Sequence, residues 1–317
     1  MVNLKVDVVA MSSVVPSVEL HRGLSKLESL GFDIHVAANM HSQHFAYAGD
    51  EVERANAFYA ASNSNSDIVW AARGGYGACQ MLQALEKMAI PSKQKILIGY
   101  SDVTALYQFV SHKWGWKILH ASMICSTDFH QMREDDEQTL MSLLHSSFAI
   151  SRWQKQSLDW IVAPQDPAEI IEGQLYGGNL AVICAMIGTP WQLDFSNKIL
   201  FFEEIAESWS KVQRMLQQLY FCGSLNNCKA IVLGEFTHCR DASPQGLVTE
   251  NNDSLKALRV TLSDEKAKHL VFSELGKALN IPICSGLPVG HCPQNAPLPL
   301  LATYSLSQNT GLSLLRW

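Results

Sequence analysis

A chain of 317 residues is longer than one hydrophobic core ordinarily supports, so two domains are expected. Apolar residues at 47% and charged residues at 17% describe a globular protein and exclude general disorder. The formal charge of −6 is spread along the chain without a Lys/Arg cluster, which argues against a nucleic-acid partner.

At the N-terminus, Lys5 and Asp7 interrupt the apolar run and no small-residue cleavage site follows, so no signal peptide is read there. The longest apolar run, Leu180 to Gly188, falls short of the roughly 20 residues that cross a bilayer. No membrane partner is therefore expected. The eight cysteines (Cys79, Cys125, Cys184, Cys222, Cys228, Cys239, Cys284 and Cys292) show neither a CxxC pair nor zinc spacing. Most sit in apolar segments and read as buried, reduced thiols, with no metal site and a cytoplasmic location as the expectation.

In chain order, Val6 to Ala10 is an apolar run suited to a buried parallel strand. Leu20, Leu24 and Leu27 then recur at helical spacing up to Gly31. Phe32 to Ala37 reads as a strand, Glu51 to Ala61 as a helix and Asp67 to Ala72 as a third strand. Met81, Leu82, Leu85 and Met88 mark a helix, and Lys95 to Ile98 a fourth strand. Val103, Leu106, Tyr107 and Val110 share one face of a further helix. Strands and helices alternating at this spacing predict an α/β fold with a parallel sheet covered on both faces. The expected organisation is an N-terminal parallel-sheet domain over 1–135, a linker over 136–168 and a mixed β/α domain over 169–317. In the second half, Lys198 to Phe202 reads as a strand leading into Glu203 and Glu204, and Ala230 to Leu233 as another. The stripe Val212, Met215, Leu216 and Leu219 reads as a helix between them. Asp241 to Lys268 reads as a polar excursion, and Leu300 to Leu315 as a closing hairpin around Gln308-Asn309-Thr310-Gly311.

The sharpest local signal is Ile96 to Ala105, where a strand runs directly into a helix with Ser101 at the corner and Gly99 two places before it. Such a turn strains the serine backbone and lifts its hydroxyl above the sheet edge, while the helix amides point at developing negative charge. Val103 stands where the G-x-S-x-G elbow has its second glycine, and a serine here could equally serve as a helix N-cap. A second signal is Arg73-Gly74-Gly75-Tyr76-Gly77, whose glycines let backbone amides approach a ligand. It matches neither the phosphate-binding P-loop nor the dinucleotide spacing, and it reads as either an oxyanion-hole contributor or a packing turn. Arg73 suits a substrate carboxylate or a salt bridge that holds the turn.

A nucleophilic serine needs a base, and eleven histidines are available. His291 follows a strand in the loop Gly286-Leu287-Pro288-Val289-Gly290-His291, where a side chain can be aimed; His120 follows the apolar run Trp116 to Leu119. Glu203 and Glu204, at a strand end, are the candidate orienting acids.

Together these segments resemble the LD-carboxypeptidase family, the S66 serine peptidases, which also includes microcin C7 self-immunity peptidases. The resemblance runs through Ser12-Ser13, Leu27 to Phe32, Asp50 to Ala55, Ala72 to Gly77, Gly99 to Ala105, Glu172 to Leu180, Leu200 to Glu207, Leu233 to Phe236 and Gly286 to His291. It implies an N-terminal domain like flavodoxin and class I glutamine amidotransferases, and a Ser101–Glu203–His291 triad with Glu204 as the fallback acid. It further implies oxyanion amides from Asp102 and from Gly74 or Gly75, no metal and a homodimer; no cofactor is expected, and Arg73 and Tyr76 beside the glycine turn are the candidate substrate contacts. The implied reaction is release of terminal D-alanine from cytoplasmic muropeptide tetrapeptides in peptidoglycan recycling. A microcin-immunity-type cleavage of an aminoacyl-nucleotide-like amide is the near alternative, and a non-catalytic peptide-binding relative is the alternative of another class. The chain departs from the family pattern at His120-Ala121-Ser122, at Leu300-Leu301, at Glu204 and in the long 241–268 excursion.

Overall fold

The computed structural model describes residues 4–145, 156–240 and 263–317. Its first half alternates β1 (Lys5–Val9), α1 (Ser17–Ser29), β2 (Asp33–Val36), α2 (Glu51–Ser62), β3 (Ile68–Ala71), α3 (Leu82–Glu86), β4 (Ile96–Ile98) and β5 (Lys117–His120). These strands pair in parallel, in the order β2-β1-β3-β4-β5. Order 2-1-3-4-5 is one of the common doubly wound arrangements, in which ligand sites gather beyond the carboxyl ends of the strands. β3 is buried along its whole length, and so are four of the five residues of β1, because helices cover both faces.

Local chemistry fixes several of these elements. Asp50 caps α2 by accepting from the Glu53 amide at 2.8 Å. From the same helix the buried Arg54 donates to the carbonyls of Gly49 and Gly77 and to Gln80 Oε1 at 2.6, 3.1 and 2.7 Å. That fork pins the glycine-rich turn after β3. On α1, a Cβ added to Gly23 would lie 2.1 Å from the Ile124 carbonyl oxygen, so glycine is what lets the helix seat this closely.

Two expected helices take a different form. Residues 78–88 divide into a 3₁₀ turn (Ala78–Met81) and the short α3. After Ser101 the chain forms a 3₁₀ turn to Leu106 and then a π turn over Phe109–Lys113 rather than one α-helix. The second sheet presses on this segment: a Cβ at Gly178 would lie 2.6 Å from Thr104 Oγ1, which accepts from the Asn179 amide at 3.2 Å.

The stretch expected as a linker carries regular structure at both ends. After α4 (Thr127–His130), α5 (Glu134–Leu144) runs into it, with Leu140, Leu143 and Leu144 buried behind an acidic first turn. Beyond residues 146–155, which lie outside the described part, β6 (Asp159–Val162) joins the second sheet. That sheet is built from β7 (Ile171–Asn179), β8 (Ile199–Ile205), β9 (Ala230–Thr237), β10 (Ile283–Ser285), β12 (Thr303–Ser307) and β13 (Gly311–Arg316), in the order β13-β12-β7-β8-β9-β10-β6. Four neighbours, β7 to β10, run parallel; β6, β12 and β13 pair antiparallel, which makes the sheet mixed. Helices α6 (Leu180–Met186), α7 (Trp209–Phe221) and α8 (Asp264–Leu279) complete this half. Of the polar excursion, 241–262 lies outside the described residues, and from Asp264 onward the chain is already in α8.

The hairpin expected over Leu300–Leu315 is β12–β13. Leu300 itself belongs to β11 (Leu298–Leu300), which crosses over to pair antiparallel with β5 of the first sheet. All three β11 residues are buried, and Pro299 is tolerated because the strand is an edge. All eight cysteines are free thiols. Among the described residues no helix is long and apolar enough to cross a membrane.

Candidate active site

Ser101 stands at the end of β4 with a φ of +62°, a left-handed conformation that a side-chain-bearing residue holds only under constraint. The constraint is visible around it. A Cβ at Gly99 would lie 3.0 Å from Ala71 Cβ and 3.1 Å from Val103, and the Gly99 carbonyl accepts from Tyr107 Oη at 2.8 Å. Next along the chain, the buried Asp102 carboxylate accepts from the Ala78 amide at 2.8 Å, joining the elbow to the glycine-rich turn. Burial pushes the Asp102 carboxyl above its ordinary value. The Ser101 hydroxyl makes no helix cap, so the capping alternative is set aside. Instead His291 Nε2 lies 3.1 Å from Ser101 Oγ.

The glycine turn lies against that serine. A Cβ at Gly74 would come within 3.1 Å of both Ser101 Cβ and Oγ, while Gly75, at φ +113°, rests on Ser13. Ser13, part of the Ser12-Ser13 stretch that carries the resemblance but given no role there, accepts from the Tyr76 amide at 3.1 Å through its hydroxyl, and its own amide donates to the Gly74 carbonyl at 3.4 Å. Tyr76 is 76% exposed, and Arg73 donates to the Val14 carbonyl at 2.8 Å. Among the described residues Arg73 makes no ion pair with a carboxylate.

The second half supplies the other two groups. Successive residues of β8 face opposite ways, which separates the two candidate acids. Glu203 is fully buried, and its Oε2 lies 2.7 Å from His291 Nδ1 and accepts from the His291 amide at 3.3 Å. Glu204 faces the start of α6, where Oε2 accepts from the Ala181 amide at 2.7 Å and Oε1 from Asn179 Nδ2 at 3.0 Å. Burial pushes Glu204 up to about 7. It binds backbone and amide, not imidazole. For Glu203 burial opposes ionisation, but the charge and hydrogen bond of His291 outweigh it and hold the carboxyl below its ordinary value. For His291 burial likewise opposes protonation, and the Glu203 carboxylate overcomes this and raises its pKa.

His291 is aimed by its loop. Gly290, at φ +117°, lets the backbone pass so near that a Cβ would lie 2.8 Å from Glu203. The Gly290 amide donates to Asn295 Oδ1 at 2.9 Å, Asn295 Nδ2 donates to Asp128 Oδ2 at 2.7 Å, and Thr237 Oγ1 donates to the His291 carbonyl at 2.6 Å. Asn295 and Asp128 went unnoticed in the sequence, where nothing near either suggests that they meet. Of the two histidines considered as base, His120 is fully buried, and neither of its ring nitrogens reaches Ser101. The arrangement is a serine hydroxyl, an imidazole and a carboxylate in series, capable of nucleophilic attack with general-base assistance.

Family models match both halves of the chain, the LD-carboxypeptidase N-terminal domain over 6–121 and the LD-carboxypeptidase C-terminal domain over 172–306. A Rickettsia conorii protein named as a carboxypeptidase is 36% identical over 203 residues, a match that spans 63% of this chain and 62% of that one. The solved structure of a muramoyltetrapeptide carboxypeptidase from Oxalobacter formigenes superposes with a TM-score of 0.73 at 30% identity, covering 98% of this chain and 99% of the other. The microcin C7 self immunity protein in complex with aspartyl sulfamoyl adenosine shares the fold, with a TM-score of 0.74 at 20% identity and coverage of 100% and 97%.

Proposed function

Since the chain belongs to the LD-carboxypeptidase family, we propose that it is a serine carboxypeptidase releasing terminal D-alanine from muropeptide tetrapeptides. The observation that carries this reading is the relay Ser101–His291–Glu203, with steps of 3.1 and 2.7 Å across the two sheets. Ser101 Oγ attacks the carbonyl of the L-configured centre that precedes D-alanine, and His291 Nε2 takes the hydroxyl proton. Glu203 keeps the other imidazole nitrogen protonated and stabilises the imidazolium. The backbone amides of Asp102 and of Gly74 or Gly75 receive the oxyanion. His291 then gives its proton to the departing amine of D-alanine, leaving an acyl-Ser101 ester. Water, deprotonated by the same imidazole, hydrolyses that ester and restores the serine.

Arg73 and the exposed Tyr76, flanking the glycine turn, are assigned to the substrate, Arg73 to a carboxylate of the peptide. Tyr76 also makes an aminoacyl-nucleotide-like amide the second substrate class to test, since an exposed ring two residues past Gly74 can stack on a base. The same reading includes peptidoglycan recycling in the cytoplasm and a homodimer. These are checked by cell fractionation and by light scattering.

The test is incubation with L-Ala-D-Glu-meso-diaminopimelate-D-Ala and measurement of free D-alanine, with an aminoacyl sulfamoyl nucleoside in a parallel arm. D-Alanine release, lost by about four powers of ten or more in Ser101→Ala, is the expected result. Undiminished turnover by Ser101→Ala would show that the serine is not the nucleophile. Hydrolysis of the nucleoside alone would transfer the substrate assignment to the second class.

A further inference from the structure

Behind the relay lie two buried polar groups that nothing in the mechanism uses. Glu203 gives Oε2 to His291, but its Oε1 has no hydrogen-bond partner. His120, at the end of β5, is 0% exposed with Nδ1 and Nε2 both unpartnered. Orphaned buried polar atoms are rare and call for an explanation.

The two share neighbours, and the Glu203 charge acts on His120. Phe201 and Glu203, two residues apart on β8, share a face, since a Cβ at Gly234 would meet both side chains. The Phe201 ring packs edge-on against His120 at 5.1 Å between centroids. Tyr100 touches His120 on one side at 5.5 Å and His291 on the other at 4.8 Å. Asn179 Nδ2, which lies near both carboxylates, donates to Glu204 Oε1 at 3.0 Å.

We propose that His120 is a positioning residue, its neutral imidazole donating through one buried water to Glu203 Oε1. A water held between two such atoms needs only polar partners and a probe-sized space. The groups facing His120 are Glu203 from β8, His291 from the loop after β10, Asp128 from α4 and Tyr100 from the turn after β4. Burial pushes His120 down to about 4, so at neutral pH it is an uncharged donor. Its hydrogen bond draws charge toward Oε1 and away from Oε2, tempering the field at His291. The donor therefore sets both the orientation of the carboxylate and the proton affinity of the base. The charges of Glu204 and Asp128 also raise the His291 pKa, and the variants below leave both in place.

This inference rests on the peptidase reading for its functional meaning, but its test does not require turnover. The imidazole ¹³Cε1 shift of His291 is followed by NMR across the histidine titration range in the wild type, His120→Phe and His120→Gln. The expected result is a rise of about half a pH unit in the His291 midpoint for His120→Phe, roughly threefold in proton affinity, and a near-wild-type midpoint for His120→Gln, which keeps an N–H donor. Equal midpoints in all three proteins overturn the proposal. If His120→Phe does not fold, the wild type decides by its His120 ring ¹⁵N shifts. One fixed neutral tautomer with a slowly exchanging proton supports the donor, and two tautomers in fast exchange overturn it. A wild type that releases no D-alanine while the midpoint still moves defeats the peptidase reading and leaves the coupling standing. D-Alanine release with an unmoved midpoint defeats the coupling alone.

Discussion

The parallel sheet carries a buried charged cluster at each end, and the two are built on opposite rules. At the amino ends of the strands, Lys95 Nζ donates to the Ala61 carbonyl, the Ser64 carbonyl, Ser64 Oγ and Ser66 Oγ at 2.7, 3.0, 2.8 and 2.8 Å. Both serine hydroxyls donate onward to Asp7 Oδ2, and the Lys95 charge lies 3.9 Å from that carboxylate. Every polar atom there is occupied. At the carboxyl ends, where β8 of the second sheet brings in Glu203, Ser101 holds a left-handed backbone, and Glu203 Oε1 and both His120 nitrogens are without hydrogen-bond partners among the described residues. One end is saturated and serves stability; the other keeps strain and unused hydrogen-bonding capacity where a reaction is to occur.

Substitutions that attack each end separately sharpen the contrast. Glu203→Gln should have the largest effect, lowering kcat by about four powers of ten, because an amide no longer enforces the imidazole tautomer. Steady-state D-alanine release measures it, and urea unfolding should show a much smaller loss of stability. The pH profile carries the same signature. His291 must be neutral to accept the serine proton, and Glu203 raises its pKa, so wild-type kcat/KM climbs with pH through a midpoint above the ordinary histidine value of 6.5. In Glu203→Gln the residual activity should titrate at lower pH.

Lys95→Met comes next and reverses the pattern. It leaves the Asp7 carboxylate to Ser64, Ser66 and His35 Nδ1 and takes the donor from the Ala61 and Ser64 carbonyls, which costs about 3 kcal/mol in urea unfolding, while kcat of the folded fraction stays near wild type. Gly74→Ala pushes a methyl against Ser101 Oγ and should reduce kcat/KM about tenfold with little change in Tm, since displacements of a few tenths of an ångström at a nucleophile are felt in the rate. The smallest change is the most pointed. Ser101→Gly abolishes activity yet should stabilise the protein by about 1 kcal/mol, because glycine occupies the left-handed region without strain. A destabilised Ser101→Gly would mean that no strain is stored at the elbow.

What could be read in the sequence followed periodicity and local punctuation. The first-sheet strands announced themselves as short apolar runs between helical stripes, and the turn at Gly99-Tyr100-Ser101 as a strand running into a helix. The choice between Glu203 and Glu204 could not be made from spacing, because adjacent strand residues differ only in which face they take, and only the sheet says which face holds His291. The crossing of Leu298–Leu300 into the first sheet was hidden by its shortness and by Pro299, which reads as a breaker. Helix α5 was obscured by its acidic exposed face, although Leu140, Leu143 and Leu144 carried the helical spacing. Asn295 and Asp128, which hold the His291 loop, meet only through the fold, 167 residues apart in sequence.

The central claim is that Ser101 is activated by His291 across the two sheets. Reaction with a fluorophosphonate, localised by peptide mass spectrometry and timed in the wild type and in His291→Ala, tests it without presuming a substrate. One adduct on Ser101, formed about three powers of ten more slowly in His291→Ala, is the predicted result. Labelling at another residue, or the same rate at Ser101 in both proteins, would contradict it.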